Sequence, residues 1–336
     1  MNKKYFLFIL TIFFLLVIFI LRFWPYADIF FKEEKTTLFL EEKAEEKPEI
    51  KLYFVGDIML DRGVLYYIQK NNDWKWPFLN IAQDLQEADL LFGNLESMIS
   101  DKGYDLGGKY SFRAPPQTMQ GLTYAGFDIL SVANNHSFDY TREAFADTLK
   151  RLKKENILYV GGGFNYEEAH TVKIKEIKDT KIGFLAYTNV GFSAWQATQN
   201  EPGIAWVDES SLDVLKNDIK EAKKSVDILI VSFHFGQEYE KEPDENQKLL
   251  AESALKAGAD IIVGHHPHVV QSLEKNEQGI IAYSLGNFVF DQYFSEETMS
   301  GAILQVLVKD KEIIKAELMK TKINSQYQVS KEKATF

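Results

Sequence analysis

The densest chemical signal in the sequence is a group of histidines late in the chain. His265, His266 and His268 place three imidazoles within four positions, with Pro267 between two of them, after the apolar residues 261–263 and Gly264. Three imidazoles on a tight turn contribute little to packing, whereas neutral imidazole is a common metal ligand. Metal ligation therefore explains this group better than burial does.

Four other apolar runs also end in polar residues. The polar residues that follow them are Asp57; Asn94 and Glu96; Asn134, Asn135 and His136; and His234. Taken singly, each has an ordinary structural explanation as a turn residue, a helix cap or a packed side chain. In an open α/β sheet, however, ligands bind beyond the carboxyl ends of the strands, so the five groups are expected to converge. Five of the six histidines fall in these groups, and His170 stands apart.

The ligand types limit the metal. The chain has no cysteine, which excludes disulfides, zinc-thiolate sites, iron-sulfur clusters and cysteine nucleophiles. Imidazoles, carboxylates and an amide suit a divalent ion such as Mn, Zn or Fe, and more than four such groups indicate two ions. Paired ions are a recurrent way to hydrolyse phosphate esters, because they polarise the ester and lower the pKa of a water between them.

The elements that must position these residues follow an α/β pattern. From residue 50 onward, short β-branched or aromatic runs alternate with amphipathic stretches, as in sheets flanked by helices. Strands are predicted at residues 51–55, 89–92, 128–132, 182–187, 227–233 and 260–263. Helices are predicted at residues 142–155, 212–224 and 245–257, the last capped by Gly258, and a hairpin at 302–309 and 312–320.

The N-terminus predicts a membrane anchor. Residues 5–21 are almost continuously apolar, close to the ~20 residues that a helix needs to cross a bilayer. The run ends in large residues instead of the small ones of a cleavage site, so an uncleaved anchor is expected over residues 5–24. Lys3 and Lys4 favour a cytoplasmic segment at residues 1–4, which puts the rest of the chain outside the cell membrane.

Composition defines the remaining segments. Residues 25–49 are expected to form a charged stalk, with a solvated amphipathic helix as an equally weighted alternative. The main domain is expected at residues 50–322 and a C-terminal tail at 323–336. A net charge of −11, from 49 acidic and 38 basic residues, argues against nucleic acid as a partner.

The ordered set of motifs resembles the CapA family of poly-γ-glutamate capsule biosynthesis proteins, also called PgsA-type. The motifs are Gly56-Asp57-Ile58-Met59-Leu60 with Arg62, Asn94-Leu95-Glu96, Ala133-Asn134-Asn135-His136, His234-Phe235-Gly236 with Glu238-Tyr239, Gly264-His265-His266-Pro267-His268-Val269 and Tyr283-Ser284-Leu285-Gly286-Asn287-Phe288. Together they cover roughly residues 50–308. The family is similar to calcineurin-like metallophosphatases. This implies an α/β fold, a four-layer αββα sandwich of two mixed β-sheets flanked by helices, here after one N-terminal transmembrane helix.

The resemblance also implies roles for individual residues. The metal ligands would be Asp57, Glu96, Asn135, His234, His266 and His268. His136 would act as the catalytic acid or as a phosphate clamp. Two departures from the phosphatase pattern are visible: Met59 stands where a histidine is usual, and Glu96 is one methylene longer than the usual aspartate. His265 is a candidate to replace the missing imidazole.

Four other residues are weaker candidates for a role in the site. Arg62, Asn94 and Asn287 are predicted to bind substrate, Arg62 because a guanidinium can hold an anion in a bidentate way. Glu238 could orient a histidine, or it could be a solvated surface carboxylate.

Two main functions are therefore open, and both involve the membrane. One is an accessory protein that helps membrane components of a synthase to elongate, export or anchor poly-γ-glutamate. The other is a two-metal phosphoesterase, and a weaker possibility is a hydrolase of the γ-glutamyl polymer or of cell-wall material. An anionic polymer would be repelled by most of this acidic surface, so only a cationic or metal-filled groove could hold it.

Overall fold

The computed structural model describes residues 3–30 and 48–332, which belong to two separate units, residues 1–46 and 47–336. In the first unit a single helix, α1, runs over Lys3–Phe30. Its segment Lys4–Arg22 has a mean hydropathy of 2.7 and is long and apolar enough to cross a membrane. A signal sequence near an N-terminus has the same character. The helix continues past residue 24 to Phe30, and the rest of the expected stalk, up to residue 47, lies outside the described residues.

The second unit alternates strands and helices. Its helices are α2 (Arg62–Asn71), α3 (Ala82–Leu85), α4 (Met119–Ala125), α5 (Thr141–Lys154), α6 (Tyr166–His170), α7 (Leu212–Lys223) and α8 (Glu245–Ala257). Its strands are β1 (Ile50–Ile58), β2 (Leu90–Leu95), β3 (Met98–Ile99), β4 (Arg113–Ala114), β5 (Ile129–Ser131), β6 (Leu158–Val160), β7 (Gly162–Gly163), β8 (Lys173–Ile177), β9 (Thr180–Thr188), β10 (Gly203–Ile204), β11 (Ile228–His234), β12 (Ile261–His265), β13 (Leu273–Asn276), β14 (Gly279–Ala282), β15 (Asn287–Val289), β16 (Ser300–Lys309), β17 (Glu312–Ile323) and β18 (Val329–Lys331).

Two mixed sheets form the centre of this unit. The first has the order β18-β17-β16-β1-β2-β5-β6, with β15 pairing beside β1. Strands β1, β2, β5 and β6 run parallel, whereas β16, β17 and β18 are antiparallel to their neighbours. The second has the order β13-β14-β12-β11-β9-β8, parallel except for the edge strands β8 and β13. The parallel strands bring their carboxyl ends to one edge of each sheet.

The two sheets pack face to face under outer layers of helices. Phe92 of β2 stacks on Phe184 of β9, with ring centroids 5.9 Å apart and planes 10° apart. Helices α2 to α5 contribute apolar side chains to the core around the first sheet, and α7 and α8 bury theirs against the second sheet in a separate cluster. This confirms the four-layer αββα sandwich of two mixed sheets.

The strands and helices predicted from periodicity are confirmed, with one systematic shift. Each strand expected to begin at Asp89, Asp128, Asp227 or Asp260 begins one residue later. The reason is that each of these aspartates uses its carboxylate to accept the backbone N–H of the first residues of a neighbouring strand. Gly258 caps α8 in the left-handed conformation at φ 119°, as expected.

The C-terminal part of the domain continues beyond the expected boundary. The predicted hairpin is present as β16 and β17, but β17 runs to Ile323. β18 then pairs with β17 inside residues 323–336, which were expected to be a tail. Val329 of β18 is fully buried, so this stretch adds to the core.

Candidate metal centre

The polar residues of the five motifs meet at the carboxyl edge of the two sheets. In the first sheet, Asp57 of β1 lies in register with Asn94 of β2 on one side and Asn287 of β15 on the other. In the second sheet, His234 of β11 pairs in register with His265 of β12. Parallel pairing within each sheet and face-to-face packing between them gather residues that lie as far apart in the chain as Asp57 and Asn287.

Asp57 is the anionic centre of the group and is fully buried. Its carboxylate accepts a hydrogen bond from the Asn94 side chain at 2.8 Å and one from the His266 backbone N–H at 3.2 Å. The ring nitrogens of His265 and His268 each lie 3.4 Å from its oxygens. Burial works to raise the pKa of Asp57, but the two imidazoles outweigh it and hold that pKa well below its usual range. Asp57 is therefore ionised and available as a ligand.

Glu96 has the opposite electrostatic environment. It is also fully buried, and its Oε1 atom has no hydrogen-bond partner. Burial, followed by the neighbouring charge of Asp57, raises its pKa well above its usual range. The Nε2 atoms of His136 and His268 lie 3.8 and 3.7 Å from Oε1. An unpaired buried carboxylate of this kind is costly, and a cation among these groups would remove the cost.

His234 and His266 form the imidazole side of the group. Their ring centroids are 4.8 Å apart, and His234 Nε2 lies 2.7 Å from the side-chain oxygen of Asn135. Burial, followed by the nearby His266, lowers the pKa of His234. Burial, followed by His268, lowers the pKa of His266 to about 3. Both rings are thus neutral at physiological pH, the form in which imidazole ligates a metal.

The turn that carries His266 and His268 is conformationally strained. The two residues have φ values of 98° and 59°, in the left-handed region that non-glycine residues rarely adopt. His268 is held from behind by Asn287, whose side-chain oxygen lies 2.9 Å from Nδ1, while Asn287 itself donates to the carbonyl of Thr298 and the side chain of Gln292. Strained backbone persists where surrounding contacts over-determine it, which is common at functional sites.

Asn94 lies at the bottom of the site, not on its surface. It is fully buried, and its amide nitrogen contacts Asp57 at 2.8 Å and His234 Nδ1 at 3.2 Å. Its oxygen accepts from Asn134, which also donates to the carbonyl of Leu95. Asn94 and Asn287, both predicted to bind substrate, are placed as buried partners of the residues predicted to ligate metal.

His136 lies at the mouth of the site. Its Nδ1 is 2.7 Å from Asp139, and its ring packs on Phe112 with centroids 4.1 Å apart. The carboxylate accepts from Nδ1 and leaves Nε2 facing Glu96 at 3.8 Å. Asp139 therefore fixes the orientation of the ring.

The side chains present fit divalent ions. Among the described residues, three groups bring ligand atoms within 4.8 Å of one another: Glu96, His234 and His266; Asp57, Glu96 and His268; and Glu238, His266 and His268. Glu96, His266 and His268 each belong to two of these groups, so the three groups form one connected cluster. The unpartnered buried atoms Glu96 Oε1 and His266 Nδ1 lie in the same place. Oxygen and imidazole donors without thiolate suit Mn, Zn or Fe.

Two residues with uncertain roles are also located. His265 is fully buried beside Asp57, and both of its ring nitrogens lack hydrogen-bond partners. Glu238 is exposed and approaches the cluster beside His266 and His268. The neighbouring Tyr239 donates its backbone N–H to Pro267, which ties this loop to the histidine turn.

Arg62 lies beside the site on a cavity of about 260 Å³ that His136 and His268 also line. Its guanidinium forms an ion pair with Asp291 through two nitrogens and lies 4.8 Å from the centroid of the Phe112 ring. The Arg62 side chain remains 34% exposed. Arg62 therefore has the position and the residual exposure to contact an anionic group bound near the cluster.

Sequence reasoning missed three contributors to this site. Asn134 was noticed only as part of its motif, yet it orients Asn94 and accepts the backbone N–H of His136. Asp139 follows His136 at a spacing of three, which was a usable signal for its partner. Asp291 is separated from Arg62 by 229 positions, and no local pattern connects them.

Comparisons with known proteins agree with these motifs. Residues 51–292 match the family model described as bacterial capsule synthesis protein PGA_cap. The capsule biosynthesis protein CapA of Bacillus anthracis is 33% identical over 285 residues, covering 82% of this chain and 68% of that protein. The PGA biosynthesis protein CapA of Bacillus subtilis is 34% identical over 278 residues, covering 79% and 71%.

Solved structures give more distant similarities. The NAD nucleotidase NadN of Haemophilus influenzae aligns with a TM-score of 0.45 at 11% identity, over 85% of this chain and 60% of that one. A 5'-nucleotidase from Candida albicans aligns with a TM-score of 0.46 at 11% identity, over 83% and 52%. The family model and the two Bacillus relatives establish the classification: the chain belongs to the PGA_cap family of bacterial capsule synthesis proteins, which includes the CapA proteins.

Proposed function

We propose that this chain is a membrane-anchored, outward-facing protein of capsular poly-γ-glutamate synthesis, export or anchoring, whose domain holds two divalent ions. The relatives from Bacillus are named for capsule and PGA biosynthesis, which supports the polymer. The apolar segment Lys4–Arg22 supports the anchor. The observation that carries the metal proposal is the buried, partly unpartnered cluster in which Glu96, His266 and His268 each belong to two three-residue groups.

Six residues would hold the ions: Asp57, Glu96, Asn135, His234, His266 and His268. When bound, such ions supply Lewis-acid polarisation of a phosphoryl or carbonyl oxygen and attract anionic groups. Within the chain, Asn94 fixes the Asp57 carboxylate and Asn287 fixes the His268 ring. A γ-glutamyl polymer would thus meet positive charge at this cleft, on a protein that otherwise repels it.

Metal analysis of the full-length chain in detergent tests this proposal. We expect about two equivalents of Mn, Zn or Fe in the wild-type protein and loss of them in Asp57→Ala and His266→Ala, because each removes a buried donor. His170→Gln is the matched control, since His170 is equally buried but pairs with Asp218 outside the cluster. Normal metal content in both cluster variants would refute a shared site.

A second candidate is a metal-dependent phosphoesterase, and the arrangement of His136 favours it. Asp139 holds the ring so that Nε2 faces the cluster, and Arg62 lies on the same cavity. His136 would hold a proton at Nε2 and give it to a leaving group, while Arg62 would orient the anion. Neither task requires more movement than a side-chain adjustment.

Turnover separates the two candidates. Metal-loaded protein would be assayed against a broad panel of phosphoesters, γ-glutamyl polymers and cell-wall fragments. If it is an enzyme, His136→Ala should keep the metal and lose activity by about 10² to 10⁴. If nothing in the panel is cleaved, the phosphoesterase and the hydrolase fail together, whereas the accessory function stands.

A further inference from the structure

The cavity beside the proposed metal cluster is lined largely by aromatic side chains. Half of the twelve residues that line it are aromatic: Tyr110, Phe112, Tyr239, Phe290, Tyr293 and Phe294. Phe112 and Phe290 are buried and pack on the rings of His136 and His268, at centroid distances of 4.1 and 4.8 Å. These two inner rings therefore hold the histidines of the cluster in place. The position of the four outer rings at the cavity needs a different explanation.

The outer rings are exposed to solvent. Tyr293 is 75% exposed, Phe294 62%, Tyr110 54% and Tyr239 41%. They come from three separate segments of the chain and converge at the entrance of one cavity. Large apolar groups gathered at one exposed place, with polar groups around them, are typical of a binding surface. We call these four residues the aromatic rim.

The geometry of the rim limits what it can hold. Tyr239 and Phe294 meet edge to face, with ring planes 86° apart and centroids 5.1 Å apart. The Tyr239 hydroxyl accepts a hydrogen bond from Gln292, which fixes that ring from below. Two rings set at right angles offer one stacking face and an edge. A planar base, in contrast, is commonly stacked between side chains on both of its faces. The rim therefore suits a ligand that needs support on one side only, such as a puckered ring.

The polar groups at the rim both donate and accept hydrogen bonds. Glu238 is an exposed carboxylate at the entrance, whereas the oxygens of Asp291 already accept from Arg62 and from the backbone N–H of Gly63. Arg62 lines the cavity as a donor, and Gln292 and the tyrosine hydroxyls can both donate and accept. Such a mixed set suits ligand hydroxyls, which also donate and accept. An apolar face surrounded by hydroxyl partners is the chemistry of a pyranose ring.

We infer that the aromatic rim binds a neutral pyranose unit and presents the group attached to that sugar to the metal cluster. The cavity of about 260 Å³ has room for one such unit beside His136. This inference rests on the proposed function, because the metal cluster is the reacting or anion-binding end of the same cleft. It implies that the protein acts where the polymer or a phosphoester is joined to a glycan.

The test is binding of small glycans to the full-length chain in detergent, measured by calorimetry and by saturation-transfer NMR. The probes are neutral oligosaccharides of glucose, galactose and N-acetylglucosamine, with a γ-glutamyl decamer and AMP for comparison. We expect oligosaccharide binding whose NMR contacts lie on the sugar C–H face. The double variant Tyr293→Ala with Phe294→Ala should weaken it about tenfold or more, because it removes both exposed rings of one segment.

Tyr66→Ala is the matched control, since Tyr66 is 57% exposed on α2 and does not line this cavity. It should bind the oligosaccharides like the wild type. The inference is overturned if no oligosaccharide binds up to about 10 mM, if the double variant binds as well as the wild type, or if only the decamer or AMP depends on the rim. Metal content, measured in the same samples, tests the proposed function separately. Glycan binding by a protein that takes up no metal would support the inference about the rim and contradict the proposed metal centre.

Discussion

The two edges of the sheets use the same kind of side chain in opposite ways. At the amino edge, four aspartates precede β2, β5, β11 and β12, and each is hydrogen-bonded to a neighbouring strand and paired with a lysine. The lysines are Lys178, Lys175, Lys311 and Lys223, at 2.9, 3.2, 3.0 and 2.6 Å. At the carboxyl edge, the carboxylates face imidazoles and one another.

Asp260 and Glu96 show the difference most clearly. Asp260 accepts a hydrogen bond from the Leu229 backbone N–H at 2.7 Å and one from the Lys223 ammonium at 2.6 Å. Its negative charge is therefore hydrogen-bonded and paired within the protein. Glu96 is buried, lies near the charge of Asp57, and has an oxygen with no partner. A satisfied carboxylate stabilises the fold, whereas an unsatisfied one raises the free energy of the folded state until a ligand arrives.

The comparison separates carboxylates that stabilise the fold from those proposed to bind metal. Both edges carry acidic residues next to apolar strands, and residue type alone does not distinguish them. What distinguishes them is whether the chain supplies N–H groups and lysines, as it does at the amino edge. Functional sites commonly contain groups that reduce the stability of the folded state, and the carboxyl edge contains such groups.

The largest expected effect is from metal removal. Ions that bind only the folded state stabilise it by about 4 kcal/mol when the free ion is at about 1,000 times its Kd. We therefore expect chelation to lower the thermal midpoint of the wild-type domain by several degrees, measured by calorimetry. Asp57→Asn should show no chelator effect. A chelator effect of the same size in Asp57→Asn would contradict the assignment of the carboxyl edge.

The next effect is on stability without metal. Asp260→Ala leaves the Leu229 N–H without its acceptor and the Lys223 ammonium with the Asp227 carbonyl alone, which should cost about 1–3 kcal/mol in denaturant unfolding. Its metal content should stay normal. Asp213→Ala is the control, because that side chain is 96% exposed, and it should be close to neutral. Loss of metal in Asp260→Ala would contradict the conclusion that carboxylates at the amino edge stabilise the fold without contributing to metal binding.

Acid should act on the amino edge through Asp227. The backbone N–H of Lys181 is the main cause of a lowered pKa at this carboxyl; burial opposes it, and Lys311 adds to the lowering. A lowered folded-state pKa gives stability that is complete above the unfolded value of about 4 and is lost as pH falls through the folded value. Unfolding midpoints measured from pH 6 down to about pH 2 should fall less steeply in Asp227→Asn. An unchanged slope would show that Asp227 contributes nothing to acid sensitivity.

The smallest effect is expected far from both edges. Lys256 and Glu252 form an exposed pair on α8 at 2.9 Å, with both side chains more than half exposed. Lys256→Ala should change stability by only about 0.3–0.5 kcal/mol, because water screens the pair. Denaturant unfolding measures this loss of unfolding free energy. A loss as large as that of Asp260→Ala would mean that burial does not explain the different contributions of Asp260 and Glu252.

Much of the fold could be predicted because its signals are local. Alternation of apolar runs and amphipathic stretches located β1, β9, β11, α7 and α8 within one to three residues of their observed bounds. Short strands such as β15 and β18 were missed, since three residues carry too little periodicity to be distinguished from a turn or a tail. The one-residue shift at Asp89, Asp128, Asp227 and Asp260 has a physical cause, because a side-chain acceptor there replaces the first ladder hydrogen bond.

The sequence by itself determined which chemistry the chain carries: a thiol-free set of imidazoles, carboxylates and amides at strand ends, the family motifs, and an apolar N-terminal segment. Only the tertiary structure decided how each of these groups is used. It buried Asn94 and Asn287 behind the proposed ligands, gave His136 its partner Asp139, and left the Oε1 atom of Glu96 without a hydrogen bond. The physical reason is that periodicity records which way a side chain points relative to its own strand. Its partners come from the packing of two sheets, which joins residues hundreds of positions apart.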